Sequence, residues 1–278
     1  MKPLVFKLGG ELIEQADDRH RLARFARDVR AGRGLVVVHG GGRAIDAELA
    51  RRAIQPRKVE GLRVTDAATL EAVVAVLAGS TNTDLVAAFV GEGVPAVGLT
   101  GVDAGFTRAA RADRHRAASG TIVDLGLVGD PDDVDPDLVE LLVENGYVPV
   151  IASLGIEDRA TSGRPNVLNV NADVMACRLA AALVGADLVI AGGTAGVLDD
   201  GGRSIPELDV EGIEALIAGG TATAGMIAKL SACRTALEAG VASIRIIDGR
   251  RLTAAGDIEQ APGTRLVAGT AALENRKQ

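Results

Sequence analysis

The chain has 278 residues, with 30 basic and 37 acidic side chains and a net charge of −7, so it carries no electrostatic footprint for nucleic acid. Its hydrophobic share of 47% excludes a disordered chain, and with one Tyr, four Phe and no Trp the core has to be built from Val, Leu, Ile and Ala. Cys177 and Cys233 make no metal or redox pattern, "MKPLVFK" is neither a signal nor a transit peptide, and no apolar run approaches the roughly 20 residues that span a bilayer; a cytoplasmic protein without membrane contact is expected.

The first predicted element is a strand over 3–10, "PLVFKLGG". It is continuously apolar until Lys7, and two glycines follow. A lysine at the end of a strand buried on both faces is costly unless something negative meets it. Lys7 is either an edge lysine whose amine reaches water or a fixed cation that faces a phosphate beside glycine N–H donors. A helix over 17–31 follows, then a second strand with a glycine cluster, "GLVVVHGGG" (34–42), and a helix over 43–53. Ligands of open α/β sheets bind at the carboxyl ends of strands. Gly9-Gly10 and Gly40-Gly41-Gly42 both stand at such ends, where glycine lets backbone N–H groups approach an anion. The helix that starts near Arg43 adds its positive end behind the second cluster. Each cluster taken alone also reads as an ordinary turn.

"GLRVTD" (61–66) places Arg63 just before a predicted helix over 66–78, and a guanidinium there suits a carboxylate. A helix over 81–92 and a strand over 94–101 come next. The polar, mixed-charge stretch 102–130 breaks the rhythm and reads as a hairpin insertion. A helix over 136–145 and a strand over 147–153 resume it. "NVNAD" (169–173) opens an apolar helix over 173–184; its two Asn and its Asp either cap that helix or belong to a site. Cys177, inside this helix, reads as a small core residue. A fresh strand over 186–193 suggests a boundary between lobes 1–184 and 185–278. A helix over 209–218 precedes "TATAGMIAKL" (221–230), which opens a helix over 225–239 with Lys229 in its early turns, a surface lysine or a site lysine. The last strand spans 243–249. Gly146, Gly185 and Gly240 stand as C-terminal helix caps.

Strands and helices alternate, and the strands are continuous apolar runs, not alternating ones. That pattern predicts a parallel sheet covered on both faces, an α/β sandwich. Two common nucleotide motifs fail. "GTATAG" (220–225) has the spacing of a Walker loop but is followed by Met226 where Lys is required, and no G-x-G-x-x-G opens a helix after a strand.

Lys-Leu-Gly-Gly (7–10), His-Gly-Gly-Gly (39–42), Gly-Leu-Arg-Val-Thr (61–65), Asn-Val-Asn-Ala-Asp (169–173) and Ala-Gly-Met-x-x-Lys (224–229) occur in that order. The ordered set resembles the amino-acid kinase family, and within it the members that phosphorylate N-acetyl-L-glutamate, over residues 4 to about 267. The resemblance implies a three-layer αβα sandwich around a mainly parallel sheet of about eight strands. The amino-terminal lobe would bind the acyl acceptor and the carboxyl-terminal lobe the nucleotide. By motif, Lys7 and Lys229 would hold the transferring phosphoryl group from two sides, Gly10 and Gly41 would donate N–H groups to its oxygens, and Asp173 would orient both lysines. Arg63 and Asn169 would hold the carboxylate end of the acceptor, with Gly42 against the same substrate. Gly192, Gly193, Gly225 and Met226 would lie at the nucleotide.

The implied reaction moves the γ-phosphoryl of ATP onto a side-chain carboxylate and gives an acyl phosphate, a step of arginine biosynthesis. A carboxylate is already ionised at pH 7, so no general base is needed, and none of the three histidines is a catalytic candidate. Mg2+ would come with ATP, held by phosphates and water and not by protein ligands. The partners implied are an acyl amino acid, ATP and a second copy of the chain in a homodimer. There are departures from the pattern. Gly192-Gly193 stand where the family has a polar pair at the nucleotide, and Arg43-Ala44 stand where it has Pro and Glu. The first strand has no extra helix before it, which suggests an arginine-insensitive dimer. Another acceptor, N-acetyl-aminoadipate or a carrier-linked amino acid, and a non-catalytic ligand sensor are the competing readings.

Overall fold

The computed structural model describes residues 2–112, 115–116, 120–158, 165–219 and 224–269. Parts of the predicted insertion and of "TATAG" lie outside the described residues. Eight strands form the main sheet: β1 (Leu4–Leu8), β2 (Leu35–His39), β3 (Ala96–Thr100), β4 (Val148–Ala152), β5 (Asp187–Gly192), β6 (Glu207–Asp209), β7 (Ser243–Asp248) and β8 (Gly263–Val267). Their order across the sheet is β6-β8-β7-β5-β1-β2-β4-β3, and every pair is parallel except β7 with β8. The winding reverses at β1, which has β2 on one side and β5 on the other. Such a reversal opens a crevice at the carboxyl ends of the strands.

Helices α1 (Ala16–Arg30), α2 (Gly42–Arg51), α3 (Ala67–Val74), α4 (Asn82–Gly91), α5 (Asp137–Glu144), α6 (Ala172–Ala182), α7 (Val210–Ala218), α8 (Ala224–Glu238) and the short α9 (Asp257–Gln260) surround the sheet. Successive strand residues point to opposite faces, and two cores follow. Val5, Val38, Ile151, Ile190 and Ile246 meet Met175 and Leu179 of α6 and Leu230 and Leu237 of α8. Leu4, Phe6, Val37, Val150 and Ile247 meet Leu22 and Phe25 of α1 and Leu85 and Phe89 of α4. The result is the three-layer αβα sandwich. Lys7 follows Val5 by two positions, so it points to the α6–α8 side.

The six strands expected from continuous apolar runs are all in this sheet. β6 and β8 went unread because they lack that signature: β8 alternates, with Arg265 outward, and β6 is three residues long and half-polar. Residues 102–130 form more than a hairpin. Thr107–Arg111 pairs antiparallel with Val128–Val134, and together with Leu154–Glu157 and Val167–Val170 they close a four-stranded barrel; a small hairpin, His115–Arg116 with Ile122–Val123, extends from it. Gly146 and Gly240 take left-handed φ values as helix caps; Gly185, also left-handed, is not a cap but lies in the turn Leu183–Ala186, because α6 ends at Ala182 on an extended Leu183.

The two helices expected over 66–78 and 81–92 are one continuous helical run, because a π-helical stretch, Ala75–Thr81, joins α3 to α4. By length and composition this 25-residue run, with a mean hydropathy of 1.6 in its most apolar window, is able to cross a membrane. That corrects the expectation that no such stretch exists. Here it packs on the protein: Ala72, Val73, Val76 and Leu77 meet Ile45 and Leu49 of α2, while Leu85 and Phe89 meet α1. Between the two contacts Asn82 is buried, and its Nδ2 donates to Val150 O at 2.9 Å and to His39 Nε2 at 3.0 Å. His39 Nδ1 lies 3.1 Å from the Gly40 carbonyl, so the partners fix a neutral ring protonated on Nδ1.

Burial pushes the His39 pKa from an ordinary 6.5 to about 4, against a smaller upward pull from the Gly40 carbonyl. Between those values the unfolded chain binds a proton that the folded chain does not. Stability therefore falls as the pH drops from about 6.5 to 4. Denaturant titrations of wild type and His39→Gln at pH 7 and pH 4.5 test this. The wild type is expected to lose about 2–3 kcal/mol more than the variant; equal losses would assign the acid sensitivity to other groups.

Candidate active site

Three stretches far apart in sequence deliver one ion cluster. β1 carries Lys7 next to its last residue, the first turn of α6 carries Asp173, and the second turn of α8 carries Lys229. Lys7 Nζ lies 2.8 Å from Asp173 Oδ1, and Lys229 Nζ lies 3.2 Å from both carboxylate oxygens. All three side chains are largely buried, so Lys7 is no snorkelling edge residue and Lys229 no surface lysine. Burial pushes the Asp173 carboxyl up, but the charges of Lys7 and Lys229 and their hydrogen bonds outweigh it and hold the group well below the usual carboxylate range. The helix-cap role falls to Asn171, whose Oδ1 accepts the N–H groups of Asp173 at 2.8 Å and Val174 at 3.3 Å. Asp173 is thereby free to serve the lysines.

The glycine loops after β1 and β2 stand beside this bridge. A Cβ on Gly10 would lie 3.3 Å from Gly41 Cα and Gly42 N, and one on Gly41 would lie 2.9 Å from Leu77 Cδ2. A side chain on Gly10 would press the two loops apart by a few tenths of an ångström, and one on Gly41 would displace Leu77. α2 starts at Gly42 and aims its first N–H groups at the same place. Two ammonium groups share one carboxylate and leave a net positive charge, with backbone donors alongside. This is a place to hold an anion, and to stabilise charge on it as it reacts.

Arg63 closes the other side. Its buried guanidinium is tethered: Nη1 lies 2.7 Å from Asp46 Oδ1, and Nη2 donates to Gly42 O at 3.2 Å. Burial raises the Asp46 pKa, but Lys58 and Arg63 lower it further, and its carboxyl sits below the ordinary value. Asn169 Nδ2 donates to Thr65 Oγ1 at 3.1 Å, which in turn donates to Arg63 O at 2.9 Å. Asp46 and Thr65 were not picked out from sequence. Asp46 lies one helical turn after Gly42 on α2, and that spacing is the signal by which it could have been found.

Lys7, Gly10, Gly41, Gly42, Arg63, Asn169 and Asp173 line one cleft of about 240 Å³. Lys229 joins them through Asp173. Gly192 and Gly193 end β5 beside the same loops, and the Gly193 N–H donates to Glu11 Oε1 at 2.8 Å. Glu11 too was unread. Gly225 stands at the start of α8 against Gly61, while Met226 is half-buried and packs on the α6–α8 core. Cys177 and Cys233 are free, buried thiols that face each other one turn behind Asp173 and Lys229; their mutual contact and burial push the Cys177 thiol up. A larger cavity of about 550 Å³ lies at the opposite edge of the sheet, near Arg33, Glu140 and Tyr147, away from this constellation.

The sequence profile of the amino acid kinase family matches residues 2–248. The chain belongs to the amino acid kinase family. Curated relatives include the acetylglutamate kinase of Symbiobacterium thermophilum, 42% identical across 90% of this chain and 85% of that protein. The acetylglutamate kinase of Aromatoleum aromaticum is 40% identical across 90% and 82%. Among solved structures, an N-acetylglutamate synthase from Neisseria gonorrhoeae superposes with a TM-score of 0.79 at 23% identity; this chain spans 60% of that one, and the likeness shows the fold alone.

In this amino acid kinase the bridge is expected to carry stability as well as charge. Asp173→Asn keeps the shape but leaves Lys7 and Lys229 facing each other without a counter-charge, at an expected cost of about 3 kcal/mol. Inorganic phosphate, by entering between the lysines, should raise the melting temperature of the variant more than that of wild type. Thermal melting with and without phosphate checks this; equal shifts would mean that Asp173 does not organise the pair.

Proposed function

We propose that the chain transfers the γ-phosphoryl group of ATP to the side-chain carboxylate of N-acetyl-L-glutamate, the phosphorylation that acetylglutamate kinases carry out in arginine biosynthesis. The observation that carries this reading is the Lys7–Asp173–Lys229 bridge beside the Gly10 and Gly41 loops. A carboxylate oxygen of the acceptor bonds to the γ-phosphorus, the bond to the β,γ-bridging oxygen breaks, and ADP leaves. No proton moves, so the site needs no base. Lys7 and Lys229 hold the transferring group from two sides, and the Gly10 and Gly41 N–H groups meet its oxygens. Asp173 stays ionised at working pH and keeps both ammonium groups in place. Arg63 and Asn169, braced by Asp46 and Thr65, hold the far carboxylate of the acceptor against Gly42.

Residues 1–184 then form the acceptor lobe and 185–278 the nucleotide lobe, with Gly192, Gly193, Gly225 and Met226 on the nucleotide side. Among the described residues no group of three His, Cys, Asp or Glu side chains is placed to hold a metal ion. Mg2+ bound to the phosphates of ATP suits such a site, and it supplies neutralisation of phosphate charge. Use of ATP in biosynthesis supports a cytoplasmic location. A homodimer is supported by the outer face of α4 and the edge strand β3, where Val90 is 56% exposed beside the half-buried Val86, Ala96 and Val97.

Hydroxylamine trapping of acyl phosphate, with ATP and a panel of acyl amino acids, tests the reaction. N-Acetyl-L-glutamate is expected to be the best acceptor, and Lys7→Ala to lower kcat at least about 100-fold. Trapping with no acceptor would favour a ligand sensor. Arg63→Lys gives up one of the two tethers. It should raise the acceptor KM about 10-fold and leave the ATP KM unchanged; the reverse pattern would move Arg63 to the nucleotide side. Sedimentation of Val90→Glu at micromolar concentration checks the dimer: the variant is expected as monomer, and an unchanged dimer would place the interface elsewhere.

A further inference from the structure

Glu11 follows the first glycine pair and has no part in the reaction scheme above. Its carboxylate lies in a cradle made by three glycines. Oε1 accepts the Gly193 N–H at 2.8 Å. A Cβ on Gly9 would sit 2.7 Å from both carboxylate oxygens, and Cβ atoms on Gly192 and Gly193 would lie 3.3 and 3.6 Å from Oε1. Gly9 has φ −62° and ψ 143°, a conformation open to any residue. The glycine at this position leaves room that the Glu11 carboxylate fills; a side chain there would push the carboxylate away.

The cradle spans the seam between β1 and β5, where Leu8 is level with Ala191 and the Gly9 N–H donates to Ala191 O at 2.8 Å. This is the sheet's reversal point, on the carboxyl edge, and Glu11 lines the same cleft as Lys7 and Asp173. A cation whose field Glu11 shares, Arg250, is already engaged: its Nε lies 2.9 Å from Asp248 Oδ1. A negative group thus stands, exposed and tied by one backbone hydrogen bond, at the cleft that the kinase reading gives to the phosphates of ATP. Bare, it repels them. With a divalent cation between, it attracts them, and Mg2+ is commonly bound through one or two carboxylates plus substrate phosphates.

We infer that Glu11 supplies the protein's carboxylate ligand, directly or through a water, to the divalent cation that accompanies the nucleotide. The inference builds on the ATP-dependent kinase reading. It makes the site selective for metal-complexed over metal-free nucleotide. The competing account has the opposite sign: the carboxylate is a placeholder on the Gly193 N–H that phosphate must displace.

The test is calorimetric titration of a non-hydrolysable ATP analogue, with and without Mn2+, into wild type, Glu11→Gln and Glu11→Asp. The readout is the factor by which Mn2+ tightens binding, together with the electron paramagnetic resonance signal of bound Mn2+. Glu11→Gln keeps the size and can still accept the Gly193 N–H but no longer repels bare phosphates, so its metal-free affinity should hold or rise. The tightening factor should fall at least about 10-fold, and Glu11→Asp, which keeps the charge, should restore part of it. An undiminished tightening factor in Glu11→Gln overturns the inference. So does a metal-free affinity that rises in Glu11→Gln while the factor holds, which is the placeholder's signature. A wild type that binds the analogue under neither condition overturns the kinase reading, and the role of Glu11 with it.

Discussion

Two ammonium groups share one buried carboxylate, and much of the architecture is arranged so that they can. A lysine inside an apolar layer is tolerable only with a partner, and the partner is tolerable only when its remaining charge is balanced. Lys7 arrives on the central strand, Asp173 on the first turn of α6 and Lys229 on the second turn of α8. The α6–α8 contact therefore fixes the separation of the cations. Its apolar part, Met175 and Leu179 against Leu230 and Leu237, supplies the rigidity that a polar cluster cannot supply for itself. The surplus positive charge that remains is what a phosphoryl group in flight needs.

The sheet and most helices were legible because strands buried on both faces leave an unbroken apolar run, and because Gly146 and Gly240 punctuate the helices where left-handed caps are required. What escaped reading was structure whose signal is not local. β8 is antiparallel and half-exposed, so it alternates like a surface strand. The join of α3 to α4 through a π-helical stretch was hidden by the polar run Ser80-Thr81-Asn82-Thr83, which looks like a break until Asn82 is seen bonded to His39 and Val150. The barrel needs four segments from 107 to 170 to find one another, and no window of sequence shows that.

In the site the same division holds. Lys7, Asp173 and Lys229 drew notice because charge in apolar surroundings is conspicuous. "NVNAD" left the cap open between three residues, and only the geometry gives it to Asn171. Arg63 was visible, but its tethers to Asp46 and the Gly42 carbonyl were not, since they depend on how a hairpin folds over α2. Glu11, after the first glycine pair, drew no reading at all. Its meaning lies in Gly9, Gly192 and Gly193, glycines whose value here is the room they leave and not the dihedral angles they permit.

Cys177 and Cys233 face each other between α6 and α8, one turn behind the residues that hold the ion bridge; Cys177 lines a cavity of about 330 Å³ along the two helices, and Cys233 is fully buried behind it. Dissolved reagents reach the buried Cys233 thiol only in the moments when the two helices part. The protein thereby carries its own clock for that event, with no label to engineer. Alkylation in the presence of excess reagent counts helix separations, and any molecule that draws Lys7 and Lys229 onto itself slows the count.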